Sequence, residues 1–155
     1  MKKLILPLLL LVAFGMLAAV ESAPSDVVGY VKYDCVAGLN MVALPMATTW
    51  QWASEMADAQ AGNVDAVFYW DAATQYWYGA ADLGGFWDGD FEIANGDALW
   101  INALAPAAFY SIGDMPAQNA TYNLLAGLNT MMVPLNKSNL GWASEVGMDI
   151  GTVDA

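Results

Sequence analysis

The sequence predicts a mainly β protein, an antiparallel β-sandwich or a barrel-like arrangement, built as two tandem repeats of about 89 residues with one short helix each. Short runs of β-branched and aromatic residues recur along the chain, and turn-forming residues separate them. No long helical pattern alternates with these runs, which argues against a parallel sheet with crossover helices. The third observation is an internal repeat, in which residues 37–45 return as residues 126–134.

The repeat extends beyond this nonapeptide. Residues 52–55 (Trp-Ala-Ser-Glu) return as residues 142–145, and the pattern of residues 62–66 returns at 151–155. The aromatic half of the first copy has no counterpart in the second copy. Because a repeating unit needs its full set of strands to bury its apolar face, we expect the second copy to be truncated. The predicted organisation is a signal peptide at 1–22, a first β-repeat unit at 23–115 and the start of an incomplete second unit at 116–155.

The first 22 residues are predicted to be a cleaved secretory signal peptide. Two lysines at the start precede the uncharged apolar run of residues 4–20, and small residues follow it. We place the cleavage between Ser22 and Ala23. The protein is therefore expected to be exported, with secretion, cell-surface display and a periplasmic destination all open, and no membrane span is expected after cleavage.

The charge and composition of the chain limit the classes of partner that it can bind and the reactions that it could catalyse. Sixteen acidic residues oppose four lysines, the formal net charge is −12, and arginine and histidine are absent. Nucleic acid is excluded as a partner, because its binding depends on Lys and Arg contacts to phosphate. There is no histidine for acid–base catalysis near neutral pH, and there is neither a zinc ligand set nor a hydrolase nucleophile motif. We therefore expect no enzyme.

Cys35 is the only cysteine in the sequence, which rules out an intrachain disulfide.

The first elements after the signal are predicted to be two strands and a helix. Residues 26–33 have strand character, and residues 39–44 are apolar on nearly every position, which predicts a central strand covered on both faces. Pro45 ends that strand, because proline cannot donate to a ladder. Thr49 is the predicted N-cap of a short helix with Trp52 on its apolar face, and the second copy repeats this helix from Ser138.

An aromatic hairpin follows the helix. Residues 64–70 and 75–78 have strand character, and the Asp and Thr side chains of residues 71–74 favour a turn between them. Alternation sends Phe68 and Trp70 to one face and Val67 and Tyr69 to the other, so at least one of these sets must lie in the core. Further strands are predicted at 86–93, at 98–103 after the Asn-Gly turn at 95–96, and at 108–112.

Two candidate sites follow from this half of the chain. The aromatic side chains could form a glycan-binding platform, and the alternative is that they fill the core or an interface between repeats. Alternation along residues 86–93 also places three carboxylates on one face, where they could contribute to a calcium site, and the alternative is a solvated outer face. The candidate glycan-binding residues are Tyr76, Trp77, Tyr78 and Trp87. The candidate calcium ligands are Asp88, Asp90 and Glu92.

Four motifs occur in a defined order: Val-Gly-Tyr-Val at 28–31, Ala-Gly-Leu-Asn-Met-Val at 37–42 followed by Pro45, Phe-Tyr-Trp-Asp at 68–71, and Gly-Asp-Ala-Leu-Trp-Ile at 96–101. This order resembles that in a group of secreted bacterial β-repeat proteins of uncharacterised function, and the resemblance spans nearly the whole mature chain. It implies an exported β-repeat protein displayed at the cell surface, and it implies no catalytic residues.

The sequence therefore predicts an exported, non-enzymatic β-repeat module with a structural or interaction role at the cell exterior. Its expected partners are polysaccharide or another cell-surface protein, and calcium is the only candidate cofactor. The alternative function is a carbohydrate-binding module that uses the aromatic hairpin.

Overall fold

The computed structural model describes residues 28–115, 121–137 and 139–151. The signal segment with its cleavage point, the start of the second copy and the predicted N-cap Ser138 lie outside the described residues. Within them, seven strands form two antiparallel sheets and the chain has only two short α-helices, so the prediction of a mainly β, antiparallel fold is confirmed.

The larger sheet has five strands in the order β2-β6-β3-β4-β5, and the smaller sheet pairs β1 with β7. Neither order returns to its first strand, so barrel-like closure is not found among the described strands. The two sheets share one core and form a sandwich. The strands are β1 Val28–Cys35, β2 Gly38–Ala43, β3 Val64–Asp71, β4 Tyr76–Asp82, β5 Trp87–Asp88, β6 Ala98–Ala103 and β7 Ala107–Asp114. The helices are α1 Ala53–Asp58, α2 Ala143–Ile150 and a 3₁₀ helix at Leu135–Lys137.

The two sheets are joined at a corner. Strand β1 leads into β2 and β6 leads into β7 through short connections, while β1 pairs with β7 and β2 pairs with β6. A two-stranded ribbon therefore bends from one sheet into the other, as in orthogonal sandwiches. The bend is held by Asn40, whose side-chain oxygen accepts from the Val36 N–H at 2.9 Å and whose amide donates to the Val36 and Gly38 carbonyls, each at 2.8 Å. Gly38 has φ of +97°, a conformation that favours glycine.

One core joins both sheets and α1. Val67, on β3, is fully buried, so the hairpin face that also carries Tyr69 is the core face, and Phe68 and Trp70 point to the outside. The smaller sheet contributes Cys35 and Phe109 to the same core. The other main core residues are Val42, Leu44, Met56, Leu99 and Ile101.

The first helix begins later than predicted. It spans Ala53–Asp58 with Trp52 as the N-cap residue, and the Glu55 carboxylate accepts from the backbone N–H groups of Gln51 at 2.7 Å and Trp52 at 3.3 Å. The prediction of Thr49 as the N-cap was therefore wrong. Trp52 does not lie on the buried face, because the residues that α1 buries are Ala53, Met56 and Ala57.

Two strand predictions were also wrong. Strand β2 was predicted to be central, but it lies at the edge of the larger sheet, and its Leu39 and Met41 side chains are exposed. The strand predicted over residues 86–93 is only Trp87–Asp88, because Gly89 adopts φ of +74° and turns the chain away from extended geometry.

The described part of the second copy contains helices and no strand. Helix α2 begins after Trp142, so the prediction that it begins from Ser138 was wrong. It ends at Ile150 and is followed by Gly151, whose φ of +84° is typical of a helix C-terminus. None of the residues of α2 is buried, whereas α1 is packed into the core. The segment between Gly127 and Val133 runs beside the first copy without joining either sheet.

Candidate functional site

The outer face of the larger sheet carries a cluster of apolar side chains, which we name the outer aromatic face. Strand alternation directs these side chains away from the core, and the register sets their neighbours: Trp100 pairs with Met41 on one side and with Phe68 on the other, while Trp70 pairs with Trp77. The five members of the outer aromatic face are Met41, Phe68, Trp70, Trp77 and Trp100.

The rings of this face pack edge to face. The Trp70 and Trp77 ring centroids are 5.2 Å apart at an interplanar angle of 64°, and those of Trp77 and Trp100 are 6.1 Å apart at 90°. Such arrangements are favourable for aromatic pairs and hold the rings in place. Trp77 is 42% exposed and Met41 is 48% exposed, and the other three side chains are partly exposed. The face is therefore both ordered and accessible to a partner.

Gly79 allows Phe68 to lie flat on this surface. Residue 79 pairs with residue 68 across β3 and β4, and a Cβ atom at Gly79 would collide with the Phe68 ring. A glycine inside a strand often marks a close approach of this kind. The absence of a side chain at this one position therefore shapes the outer aromatic face.

Polar groups border the outer aromatic face at two places. The Asn102 amide donates to the Asp65 carboxylate at 2.6 Å, and Asn102 shares the outer side of β6 with Trp100. Near the hairpin turn, the Trp70 indole N–H donates to the Leu128 carbonyl at 2.8 Å, and the Gln75 side chain exchanges two hydrogen bonds with the Leu128 backbone. The face thus ends at an amide–carboxylate pair on one side and at the second copy on the other.

The structure does not bring the four predicted glycan-binding residues together. Trp77 lies on the outer aromatic face, whereas Tyr76 and Tyr78 point to the opposite side of β4, where Tyr78 stacks on Tyr69 with ring centroids 5.5 Å apart. Trp87 packs against the core, and its indole N–H donates to the Asp58 carboxylate at 3.1 Å. One of the four residues, Trp77, therefore belongs to the aromatic surface that the sheet builds.

Sequence reasoning did not single out the other members of that surface. Phe68 and Trp70 were placed on a common face by alternation, but which face was core stayed open. Trp100 and Met41 reach the hairpin only through the pairing of β6 with β2 and β3, and a pairing between strands so distant in sequence leaves no local pattern. In the sequence, only the alternation within residues 98–103 could have indicated the face of the strand on which Trp100 lies.

The three predicted calcium ligands do not share a strand face, because β5 ends at Asp88. The Asp90 carboxylate instead accepts from the backbone N–H of Ser54 at 3.1 Å and from its hydroxyl at 2.6 Å, which ties the loop to the start of α1. Glu92 lies where the chain forms an isolated bridge with Trp52. Within the described ranges, no group of three or more His, Cys, Asp or Glu side chains could hold a metal ion. Calcium binding therefore stays a prediction without an assembled site.

A cleft lies between the end of the hairpin and the second copy. It has a volume of about 470 Å³, and its lining includes Tyr69, Glu92, Asp97 and Tyr122. Burial raises the pKa of the Asp97 carboxyl above its ordinary value, although this carboxyl accepts from the Ala94 N–H at 2.7 Å, which opposes the rise. That hydrogen bond closes the turn before β6, so a structural role accounts for Asp97.

No helix in the part of the chain that the structure describes has the length and apolarity needed to cross a membrane. No protein-family model, curated protein or solved structure matches this chain. The geometry of the outer aromatic face and the sequence are therefore the features that indicate a function.

Proposed function

We propose that the protein is an exported, non-enzymatic β module with a structural or interaction role at the cell exterior, and that the outer aromatic face is its contact surface. The observation that carries this proposal is the position of three indoles and a phenyl ring on the open side of a sheet whose other side is already filled by the core. Ordered apolar patches that stay accessible to solvent are typical of interaction sites.

Two further observations support the class of function. The chain has no histidine, and the carboxylates of Asp90 and Asp97 accept hydrogen bonds at the start of α1 and in the turn before β6. The basic and apolar start of the chain supports export. A strongly negative exported chain would also stay soluble while it presents an apolar surface.

We also propose that the two copies are structural repeats. In the first copy the Tyr33 hydroxyl donates to the Ala43 carbonyl at 3.1 Å, and in the second copy the Tyr122 hydroxyl donates to the Met132 carbonyl at 3.0 Å. Glu145 caps the start of α2 as Glu55 caps α1, with hydrogen bonds from the Gly141 and Trp142 N–H groups. The recurrence of these local hydrogen bonds supports a common fold for the two copies.

The contact surface can be tested with two neighbouring residues on opposite faces of β4. Trp77→Ala removes a central ring of the outer aromatic face, and Tyr76→Ala is the matched control, since Tyr76 is exposed on the other face. We expect Trp77→Ala to weaken binding of the protein to isolated cell-surface material by about tenfold, because a few aromatic anchors usually dominate a contact surface. Tyr76→Ala should bind like the unmodified protein. Equal losses for the two variants would contradict the assignment of the face.

Carbohydrate binding is a second candidate function, favoured by the Asn102–Asp65 pair beside Trp100. Sites for polar ligands combine apolar and aromatic surface with a few placed hydrogen-bonding groups, and this border supplies an amide and a carboxylate next to stacked indoles. The binding assay with the same two variants, repeated on a panel of purified insoluble polysaccharides, separates the candidates. Retention on one polysaccharide that is lost in Trp77→Ala supports carbohydrate binding. Retention on cell-surface material but on no polysaccharide points to a protein partner.

A further inference from the structure

We propose that the segment Gly127–Met132 accepts an antiparallel β-strand with the sequence pattern of β6, presented by a partner segment that continues into a strand like β7. This inference rests on the proposed equivalence of the two copies, and it concerns a surface different from the outer aromatic face. The partner is defined by its chemistry: an extended segment with large aliphatic side chains at alternate positions, followed by a strand that carries an inward aromatic ring.

The first copy shows what this segment pairs with. Residues 126–134 repeat the pattern of residues 37–45, and there the equivalent strand β2 pairs with β6 along its whole length, from Gly38 with Ala103 to Ala43 with Ala98. In the second copy, no residue from Gly127 to Val133 makes a backbone–backbone hydrogen bond with another described residue. Side chains bond the Leu128 backbone and the Gly127 and Met132 carbonyls, but the backbone N–H and C=O groups of residues 129–131 have no partner among the described residues. Backbone with unpaired N–H and C=O groups is a template for the addition of a strand.

The acceptor segment is already held in the required bend. The Asn129 side-chain oxygen accepts from the Leu125 N–H at 3.0 Å, and its amide donates to the Leu125 carbonyl at 2.7 Å and the Gly127 carbonyl at 3.0 Å. Asn40 makes the same three hydrogen bonds at the corner between β1 and β2. Gly127 also has a positive φ of +103°, close to that of Gly38. A segment ordered in this way loses less conformational entropy when a strand pairs with it.

An open apolar groove lies beside the acceptor segment. It has a volume of about 280 Å³, and its lining includes Leu124, Met131 and Val146, with the ion pair of Lys137 and Asp149 beside them. The repeat alignment matches these three residues to Cys35, Val42 and Met56, all of which are buried in the core of the first copy. The groove is therefore the position in the second copy that corresponds to the core of the first.

The side chains that fill this position in the first copy come from β6 and β7. Leu99, Ile101 and Phe109 are each no more than 2% exposed, and they belong to the same core cluster as Val42 and Met56. In the second copy the corresponding apolar surface is open: Val133 is 41% exposed, whereas its counterpart Leu44 in the first copy is 1% exposed. A strand pair of the β6–β7 type would supply this segment with a ladder and with apolar side chains of the kind that complete the core of the first copy.

The test uses the full chain and a synthetic peptide with the sequence of residues 96–114, carrying lysines at both ends for solubility. Amide hydrogen exchange, read by mass spectrometry, reports where the peptide binds. We expect saturable protection of residues 127–132 in the protein. A control peptide with Leu99→Asp and Ile101→Asp should give none, because a charged side chain cannot enter the apolar groove without a large desolvation cost.

A variant of the acceptor completes the test. Met131→Asp places a charge where Val42 is buried in the first copy, and it should weaken peptide binding by about tenfold. Trp77→Ala should bind the peptide like the unmodified protein, which separates this inference from the proposed role of the outer aromatic face. Protection confined to the strands of the first copy, equal protection by the control peptide, or no protection would each overturn the proposal.

Discussion

Ser111 is a buried polar residue whose hydroxyl has no hydrogen-bond partner among the described residues. It lies on β7 opposite Val31, and its side chain is fully buried. A buried hydroxyl that lacks a partner loses its hydration and gains nothing in return, at a cost of about 1–3 kcal/mol. Ser111 therefore weakens the sandwich at the place where the smaller sheet meets the core.

Ser111→Ala should raise the free energy of unfolding by about 1 kcal/mol, because it removes the unsatisfied hydroxyl and leaves a cavity of one atom. Ser54→Ala is the matched control and should have the opposite sign, since the Ser54 hydroxyl donates to Asp90 at 2.6 Å. Urea unfolding followed by circular dichroism measures both values. A loss of stability in Ser111→Ala would show that the hydroxyl has a partner in solution.

At the scale of elements, the corner between the sheets depends on Asn40. Its three hydrogen bonds hold the bend through which β1 leads into β2, and both strands are paired along their length. Asn129 makes the equivalent bonds in a segment that belongs to neither sheet. The same side chain in the same local geometry therefore has two different packing environments.

Asn40→Ala should lower the free energy of unfolding by about 1–3 kcal/mol, because it leaves corner backbone groups without partners. Asn129→Ala should lower it by less than half as much, since the second segment adds few contacts to the cooperative core. Thermal unfolding of the two variants checks this order. Equal losses would mean that the second copy is already part of the cooperative unit.

Local pattern was enough to predict most of the elements. Residues 98–103 were predicted as a strand and form β6 with the same bounds, and alternation correctly separated Phe68 and Trp70 from Val67 and Tyr69. The information needed for these predictions is contained in the strand itself, because successive side chains point to opposite faces.

Features that depend on distant pairing were not predicted. The apolar sequence of β2 suggested a central strand, but its edge position is decided by which strands pair with β6. The strand predicted over residues 86–93 failed at Gly89, where one left-handed residue overrides the alternation around it. The outer aromatic face was not predicted because it also depends on distant pairing. Trp100 reaches the hairpin only through the register of β6 with β3.

In the molecule as a whole, the two sides of the larger sheet differ in their exposure to solvent. The inner side is closed by α1 and by Cys35 and Phe109 of the smaller sheet, whereas the outer side presents aromatic rings to solvent. A net charge of −12 opposes non-specific association of such a chain. This asymmetry is the basis for the proposal that the outer aromatic face makes the functional contact.

Hydroxyl-radical footprinting of the protein, free and bound to isolated cell-surface material, shows whether the outer aromatic face makes the functional contact. Trp77, Met41, Tyr76 and Trp142 are all exposed in the free protein, so each should be oxidised before binding. On binding, we expect oxidation of Trp77 and Met41 to fall while oxidation of Tyr76 and Trp142 stays unchanged. Protection of Tyr76 and Trp142, with Trp77 and Met41 still oxidised, would contradict it.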